Sequence, residues 1–320
     1  MADYDIVIVG SGPAGLTAAI YAARALVKTL VVGGQISGGQ LMLTTGVENF
    51  PGFSEGIQGP DLMMQMRKQA ERFGAEIRDE DAESVEFQQT PLKVVVGGRS
   101  VTANAVIIAT GSSAKWLGIP SEEKLRGRGV SSCATCDGYF FRDKRVAVVG
   151  GGDTAIEEAL FLTKYATEVI LVHRRDKLRA TKIMQSRALS NPKIKFQWNT
   201  IVDEVLGKDK VEGIRAKNPK TGEASIIPCD GLFIAIGFQP NTGLFGGKID
   251  LDEKGYVKVR NDTESSVNGV FVAGDVHDYK YRQAVTAAGE GCKAAIDALA
   301  YLEEQKEIQV EARESGKAVA

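Results

Sequence analysis

One local pattern occurs twice in this chain, about 140 residues apart. The first copy is a short β-branched apolar run, Tyr4–Val9, then Gly10-Ser11-Gly12-Pro13-Ala14-Gly15, then an Ala- and Leu-rich segment over residues 16–25. The second is Arg145–Val149, then Gly150-Gly151-Gly152-Asp153-Thr154-Ala155, then a segment with helical character over residues 156–165. Strand, glycine turn and helix in that order are the context that gives G-x-G-x-x-G/A its meaning. The glycines allow a tight turn and let backbone approach a pyrophosphate. The helix N-terminus then faces the anion with free N–H groups and a favourable dipole. A plain structural turn explains one copy, but two copies in the same context make an internal repeat of nucleotide-binding folds. The fold class expected is α/β, with two Rossmann-like units.

The segments that follow the two turns differ. An acidic residue at the end of the second strand binds the adenosine ribose in the simple fingerprint, ~20 residues past the glycines. After Thr29–Val32 that place holds Gly33, Gly34 and Gln35. After Glu168–Val172 it holds His173-Arg174-Arg175-Asp176, with Arg179 beyond. Guanidinium groups grip a 2′-phosphate bidentately, whereas a carboxylate would repel it. This favours NADPH over NADH at the second turn, against the alternative of a solvated basic face.

Just ahead of the second turn lies Cys133-Ala134-Thr135-Cys136-Asp137-Gly138. Two thiols at this spacing form a small disulfide ring, supply half a zinc site, or fall together by chance. The chain has 4 cysteines and 2 histidines, and Cys229, Cys292, His173 and His277 stand apart without ligand spacing, so no metal site is assigned. Asp137 beside the pair favours redox chemistry, because dithiol exchange moves protons as well as electrons.

A length of 320 residues accommodates two domains. A formal net charge of -2 argues against a nucleic-acid binder. No apolar run approaches the ~20 residues of a membrane span, and residues 1–5 lack the character of a signal peptide. A cytoplasmic location is expected, where a C-x-x-C pair is catalytic more often than structural.

Elsewhere, a core-packed helix is expected over residues 61–73 and a hairpin within 76–101, turning at Gly97-Gly98. Buried strands are expected at 106–109, 231–236 and 270–273, and a short strand at 255–259. Alternating strands of a small sheet are expected over 191–211 and 213–227. Residues 116–120 read as a linker. A helix is expected over 283–302, with a charged tail that frays after Glu303.

Taken together, these pieces resemble the low-molecular-weight thioredoxin reductases, flavoenzymes of the pyridine nucleotide–disulfide oxidoreductase group. The resemblance rests on both glycine turns, Gly38-Gly39-Gln40-Leu41, the C-x-x-C segment, His173-Arg174-Arg175 with Arg179, Gly274-Asp275 and Arg282-Gln283-Ala284. It covers residues 4–302, and the position of the pair ahead of the second fingerprint is itself characteristic. It implies an FAD domain over residues 1–115 and 246–320, with an NADPH domain carrying the redox pair inserted over 116–245. It implies FAD contacts from Gly10 to Gly15 and from Gly33, Gly38, Gly39, Gln40, Leu41, Asn49, Ala109, Thr110, Gly111, Gly274, Asp275, Arg282, Gln283 and Ala284. For NADPH it implies Gly150, Gly152, Asp153, Thr154, Ala155, His173, Arg174, Arg175, Arg179, Ile236 and Gly237.

The activity implied passes electrons from NADPH to FAD, to the Cys133–Cys136 disulfide, and on to thioredoxin or a similar small disulfide protein. Cys136 then faces the flavin, Cys133 attacks the partner, and Asp137 is the acid–base group. A homodimer and a rotation of one domain against the other are also implied. A glutaredoxin-like or peroxiredoxin-system partner is the alternative. A ferredoxin–NADP reductase shares the fingerprints but lacks the pair.

Overall fold

The computed structural model describes residues 2–35, 37–43 and 46–314. The chain divides into two compact units, residues 1–113 with 239–320, and residues 114–238.

In the first unit the parallel strands run in the order Glu76–Arg78, Thr29–Val32, Tyr4–Val9, Arg99–Ile108. The long strand Arg99–Ile108 is shared. Its first half pairs antiparallel with Leu92–Val96, and its second half pairs parallel with Val270–Val272. Buried Val and Ile side chains make the strand register costly to shift, since each contributes about 1.5–3 kcal/mol on burial; Ile6, Val7, Ile8, Val106, Ile107 and Ile108 are all fully buried. The helix Pro13–Arg24 packs on one face through Ala14, Ala18, Ala19, Ala22 and Ala23, small residues that admit the C-terminal helix with its Ala294, Ala295 and Ala298. The helix Gly59–Arg72 buries Leu62, Met63, Met66 and Ala70.

The second unit holds a five-stranded parallel sheet in the order Val130–Ser131, Gly231–Ile234, Arg145–Val149, Glu168–Val172, Ile194–Gln197. A separate antiparallel sheet contains Ile201–Leu206, Gly213–Lys217 and Ala224–Pro228.

Each unit repeats the same three hydrogen bonds around its glycine turn. Gly10 N–H donates to Val32 O (2.9 Å) and Gly150 N–H to Val172 O (3.1 Å). Ala109 N–H donates to Val9 O (2.8 Å) and Ala235 N–H to Val149 O (2.9 Å). Leu16 N–H closes on Gly12 O (2.9 Å) and Ile156 N–H on Gly152 O (3.2 Å). The repeat seen in sequence is therefore a repeat of backbone geometry.

Four expectations need correction. Ile194–Gln197 belongs to the parallel sheet, paired with Glu168–Val172, and not to the small sheet; alternation alone does not say which sheet an edge strand joins. Residues 255–259 form no strand. There the Asp252 carboxylate accepts from the amides of Lys254 (2.8 Å) and Tyr256 (2.9 Å), turning the chain so that only an isolated Leu251–Val257 bridge remains. The helix expected over 156–165 spans Asp153–Leu162, because the end of the glycine turn is already helical. The C-terminal helix, Ala284–Glu314, continues through the charged tail expected to fray. Glu, Gln, Lys and Ala there are strong helix formers and need no core contact to extend an existing helix.

Candidate active site

The two cysteines form a disulfide, Cys133–Cys136, across one helical turn with Cα atoms 5.3 Å apart. Cys133 is the N-cap of the short helix Ala134–Asp137, and Asp137 N–H closes that turn on Cys133 O (3.1 Å). Cys133 N–H donates to Ser131 Oγ (3.1 Å), and Cys133 Sγ lies 3.3 Å from Thr135 Oγ1. The turn is anchored from below. Ala134 is buried, and with Phe141 it packs into the same core as Ile156, Ala159 and Leu162 of the helix that follows the second glycine turn. The first residue between the cysteines, Ala134, must be small there, while Thr135 and Cys136 are exposed. Burial pushes the Asp137 carboxyl up, opposed by a hydrogen bond from Ser131. Cys229 is a different kind of thiol: burial, with Asp230 beside it, pushes it up to about 12 and leaves it inert.

The first glycine turn gathers most of the residues expected around a flavin nucleotide. A Cβ on Gly10, whose φ is +118°, would run into Ala109 O, whereas nothing lies within 4 Å of a Cβ on Gly12. No side chain caps the helix Pro13–Arg24. The turn is tight behind and open in front, with helix N–H groups left uncapped by side chains, which fits a pyrophosphate. Ser11 ties the turn to the second glycine-rich loop: its Oγ donates to Gly33 O (3.0 Å) and accepts from Gly38 N–H (2.9 Å) and Ser37 Oγ (3.1 Å). A Cβ on Gly39 would be 3.4 Å from Gly12 Cα, and Gln40 and Leu41 follow in the turn Gly39–Leu43. On the other side Gly274 abuts Ala14. Asn49 Nδ2 donates to Gln283 Oε1 (3.2 Å), just before Ala284 opens the C-terminal helix. Thr110 and Gly111 are joined to Asn241: Thr110 Oγ1 donates to Asn241 O (2.8 Å), Asn241 Nδ2 to Thr110 O (2.9 Å), and Asn241 N–H to Gly111 O (3.0 Å).

Asp275 has a carboxyl pushed up to about 7, first by burial and then by Asp278 and Glu290, with Arg282 and His277 opposing. Glu290 lies outside every sequence motif, yet its Oε2 accepts from Gly274 N–H (2.6 Å) and lies 2.8 Å from His277 Nε2, fastening the Gly274–Asp275 turn to the C-terminal helix. Two more residues outside the motifs do the same kind of work: Arg67 Nη1 donates to Ser37 Oγ (3.3 Å) beside the first turn, and Asn241 binds Thr110 as above. None of these belongs to a short motif; each reaches the site from a distant stretch of chain.

At the second turn Gly152 is equally open, and no side chain caps the helix Asp153–Leu162. Asp153 Oδ1 accepts from Thr181 N–H (2.8 Å) and Thr181 Oγ1 (3.0 Å), and Gly151 O accepts from Arg179 N–H (2.7 Å) and Ala180 N–H (3.1 Å). The basic loop is thereby strapped to the glycine turn. Arg174, Arg175 and Arg179 are exposed, and none makes an ion pair among the described residues. His173 is placed differently from the arginines. Its ring is buried, Nε2 lies 2.9 Å from Lys177 O, and the ring stands edge-on to Trp198. Burial lowers its pKa. A neutral imidazole supporting the loop is what these contacts describe. Thr154 and Gly237 are half-buried and Ile236 is exposed at the turn's rim.

Two dinucleotide turns and a surface disulfide beside the second define a disulfide oxidoreductase served by a flavin and a pyridine nucleotide. Residues 4–291 match the family model for pyridine nucleotide-disulphide oxidoreductases. The thioredoxin reductase of Mycolicibacterium smegmatis is 55% identical over 303 residues, 94% of this chain and 97% of that protein. A bifunctional thioredoxin reductase/thioredoxin of Mycobacterium leprae is 55% identical over 304 residues, 94% of this chain and 66% of that one. Among solved structures, a thioredoxin reductase from Giardia duodenalis superposes with a TM-score of 0.90 at 43% identity, covering 94% of this chain and 99% of that one. The chain belongs to the pyridine nucleotide–disulphide oxidoreductases, among their thioredoxin reductases.

Proposed function

We propose that this protein is an FAD-containing, NADPH-dependent reductase of thioredoxin, working as a homodimer in the cytoplasm. The observation that carries this is the Cys133–Cys136 disulfide, held on a helical turn whose core is shared with the helix of the second dinucleotide turn. The relatives named above support thioredoxin as the disulfide substrate. The unpaired Arg174, Arg175 and Arg179 support NADPH. FAD is assigned to the unit of residues 1–113 with 239–320, and NADPH to that of residues 114–238.

Together the bound cofactors supply an electron pair, carried from reduced nicotinamide to the disulfide. Cleavage of the Cys133–Cys136 bond by that pair leaves two thiolates, which take up two protons from solvent. The Cys133 thiolate attacks the partner's disulfide; a bond forms between Cys133 Sγ and one partner sulfur, and the other leaves as a thiolate. Cys136 then attacks Cys133 Sγ, restoring the intramolecular disulfide and releasing the second partner sulfur. The partner gains two electrons and two protons. Asp137, raised by burial, holds a proton at higher pH than an exposed carboxyl does and hands it to the departing thiolate.

The test is steady-state oxidation of NADPH by the purified yellow protein with thioredoxin, with a glutaredoxin-like protein, and with neither. Turnover is expected with thioredoxin. Turnover with the glutaredoxin-like protein alone, or none at all, overturns the proposal.

A further inference from the structure

The strand Thr29–Val32 ends without the carboxylate that holds an adenosine ribose in the simple dinucleotide fold, yet the structure brings a carboxylate to that place from elsewhere. The strand Glu76–Arg78 runs parallel beside it, with Val32 opposite Arg78. Both chains therefore leave the sheet at the same end, and they stay joined as they leave. Gly33 N–H donates to Arg78 O (2.8 Å), Gly34 N–H to Glu80 O (3.1 Å), and Gln35 N–H to Asp81 Oδ1 (3.2 Å). The ladder begins at the pyrophosphate turn, because Ser11 Oγ holds Gly33 O. It runs outward to Asp81, in the direction that leads from a dinucleotide's pyrophosphate to its ribose.

Gly34 shows what the local sequence has given up. Its φ is +75°, and a Cβ there would stand 3.2 Å from Asp81 Oδ1. Any side chain at the strand end would start against the carboxylate of Asp81; glycine leaves that ground to it.

Three acids follow Arg78 in the chain, and two are committed. Asp79 is held by Arg67 through both oxygens (2.6 and 3.0 Å), which draws its carboxyl below the usual range. Glu80 turns to the hairpin, where Oε2 fills the place of a Gly97 Cβ and Oε1 lies 3.5 Å from Arg99. Asp81 is exposed, faces the Gly33–Gln35 loop, and has no cation partner among the described residues.

We propose that Asp81 accepts hydrogen bonds from the adenosine ribose hydroxyls of the FAD, replacing the strand-end carboxylate with one supplied by the adjacent strand. An ionised carboxylate is acceptor-only, so it matches a vicinal diol that donates twice. The proposal rests on FAD occupying the first glycine turn.

The experiment measures flavin affinity of the full-length chain, stripped and reloaded, by flavin fluorescence. The probes are FAD, an FAD analogue whose adenosine ribose lacks the 2′-hydroxyl, and FMN, which has no adenosine. The variants are Asp81→Asn and Asp81→Ala. Each substitution is expected to weaken FAD about 10- to 100-fold, the range of a lost charged hydrogen bond. The deoxy analogue should bind the native chain with a similar loss and lose much less on Asp81→Asn. FMN should bind native and variant chains alike. Unchanged FAD affinity in Asp81→Asn overturns the proposal, and so does an equal loss for all three flavins, which would make Asp81 a structural support only. The deoxy comparison on the native chain needs no variant to fold. A native chain that takes up no FAD refutes the cofactor assignment instead, and is distinguishable at the first measurement.

Discussion

Cys133 and Cys136 share one turn but have unlike surroundings. Cys133 is half-buried and tied to Ser131 and Thr135; Cys136 is exposed. Each must be reachable in turn, one by the electron donor and one by the partner, and neither is sealed in the core. With Cys133 as the attacking thiol, Cys136→Ser is expected to capture thioredoxin in a mixed disulfide that persists, visible on non-reducing gels. Cys133→Ser should capture none, and should show long-wavelength absorbance that strengthens with pH as Cys136 ionises. The reverse pattern would exchange the two roles. The basic loop makes a second residue-level prediction. Arg174→Ala with Arg175→Ala should lower kcat/KM for NADPH, at ~1.5–3 kcal/mol per charged hydrogen bond lost, and leave that for NADH nearly unchanged. Equal losses for the two nucleotides would show that the arginines do not read the 2′-phosphate.

The elements show how far the sequence could be read. The strand–turn–helix units were legible because each is continuous in the chain, and their glycines have local reasons. At the second turn a Cβ on Gly151 would clash with the ring of His173, 2.2 Å from Cε1, and that ring is itself held by Lys177 O and Trp198. Gly151→Ala should therefore displace the ring and, with it, the basic loop. Such overpacking costs about 1–3 kcal/mol, and the KM for NADPH should rise at least several-fold while flavin content stays constant. An unchanged KM would mean that the imidazole is not a support of the loop. What the sequence concealed was assembled by pairing across the sheet. Asp81 lies 46 residues beyond Gln35 and meets it only because Glu76–Arg78 is the parallel neighbour of Thr29–Val32. Glu290 reaches Gly274 from a helix whose Ala-rich pattern announces packing and not a polar clamp. His173 sits among arginines in sequence, yet its side chain turns inward where theirs turn out.

At the scale of the whole molecule, Asp275 gives stability a dependence on pH. Asp275 ionises near 3.8 when unconstrained and at about 7 in the folded protein, chiefly through burial and then through Asp278 and Glu290. Between those values the folded chain holds a proton that the unfolded chain has released. Its contribution to stability is therefore greatest at low pH and falls as pH rises through the window from 3.8 to about 7, after which it is constant. At 1.36 kcal/mol per pKa unit the fall amounts to about 4 kcal/mol at most. Above pH 7 the flavin-free protein carries an ionised carboxylate that burial leaves poorly solvated. Asp275→Asn removes the proton exchange while keeping the shape. The melting temperature of the flavin-free variant should match or trail that of the native chain near pH 5 and exceed it at pH 8, with the gap growing between. The same variant should release FAD faster than the native protein at pH 8, because it lacks the charge that its hydroxyl donors would meet. Parallel melting curves across the range would show that Asp275 is not the titrating group. A variant that gained stability and kept its flavin equally well would show that this buried charge does not serve the cofactor.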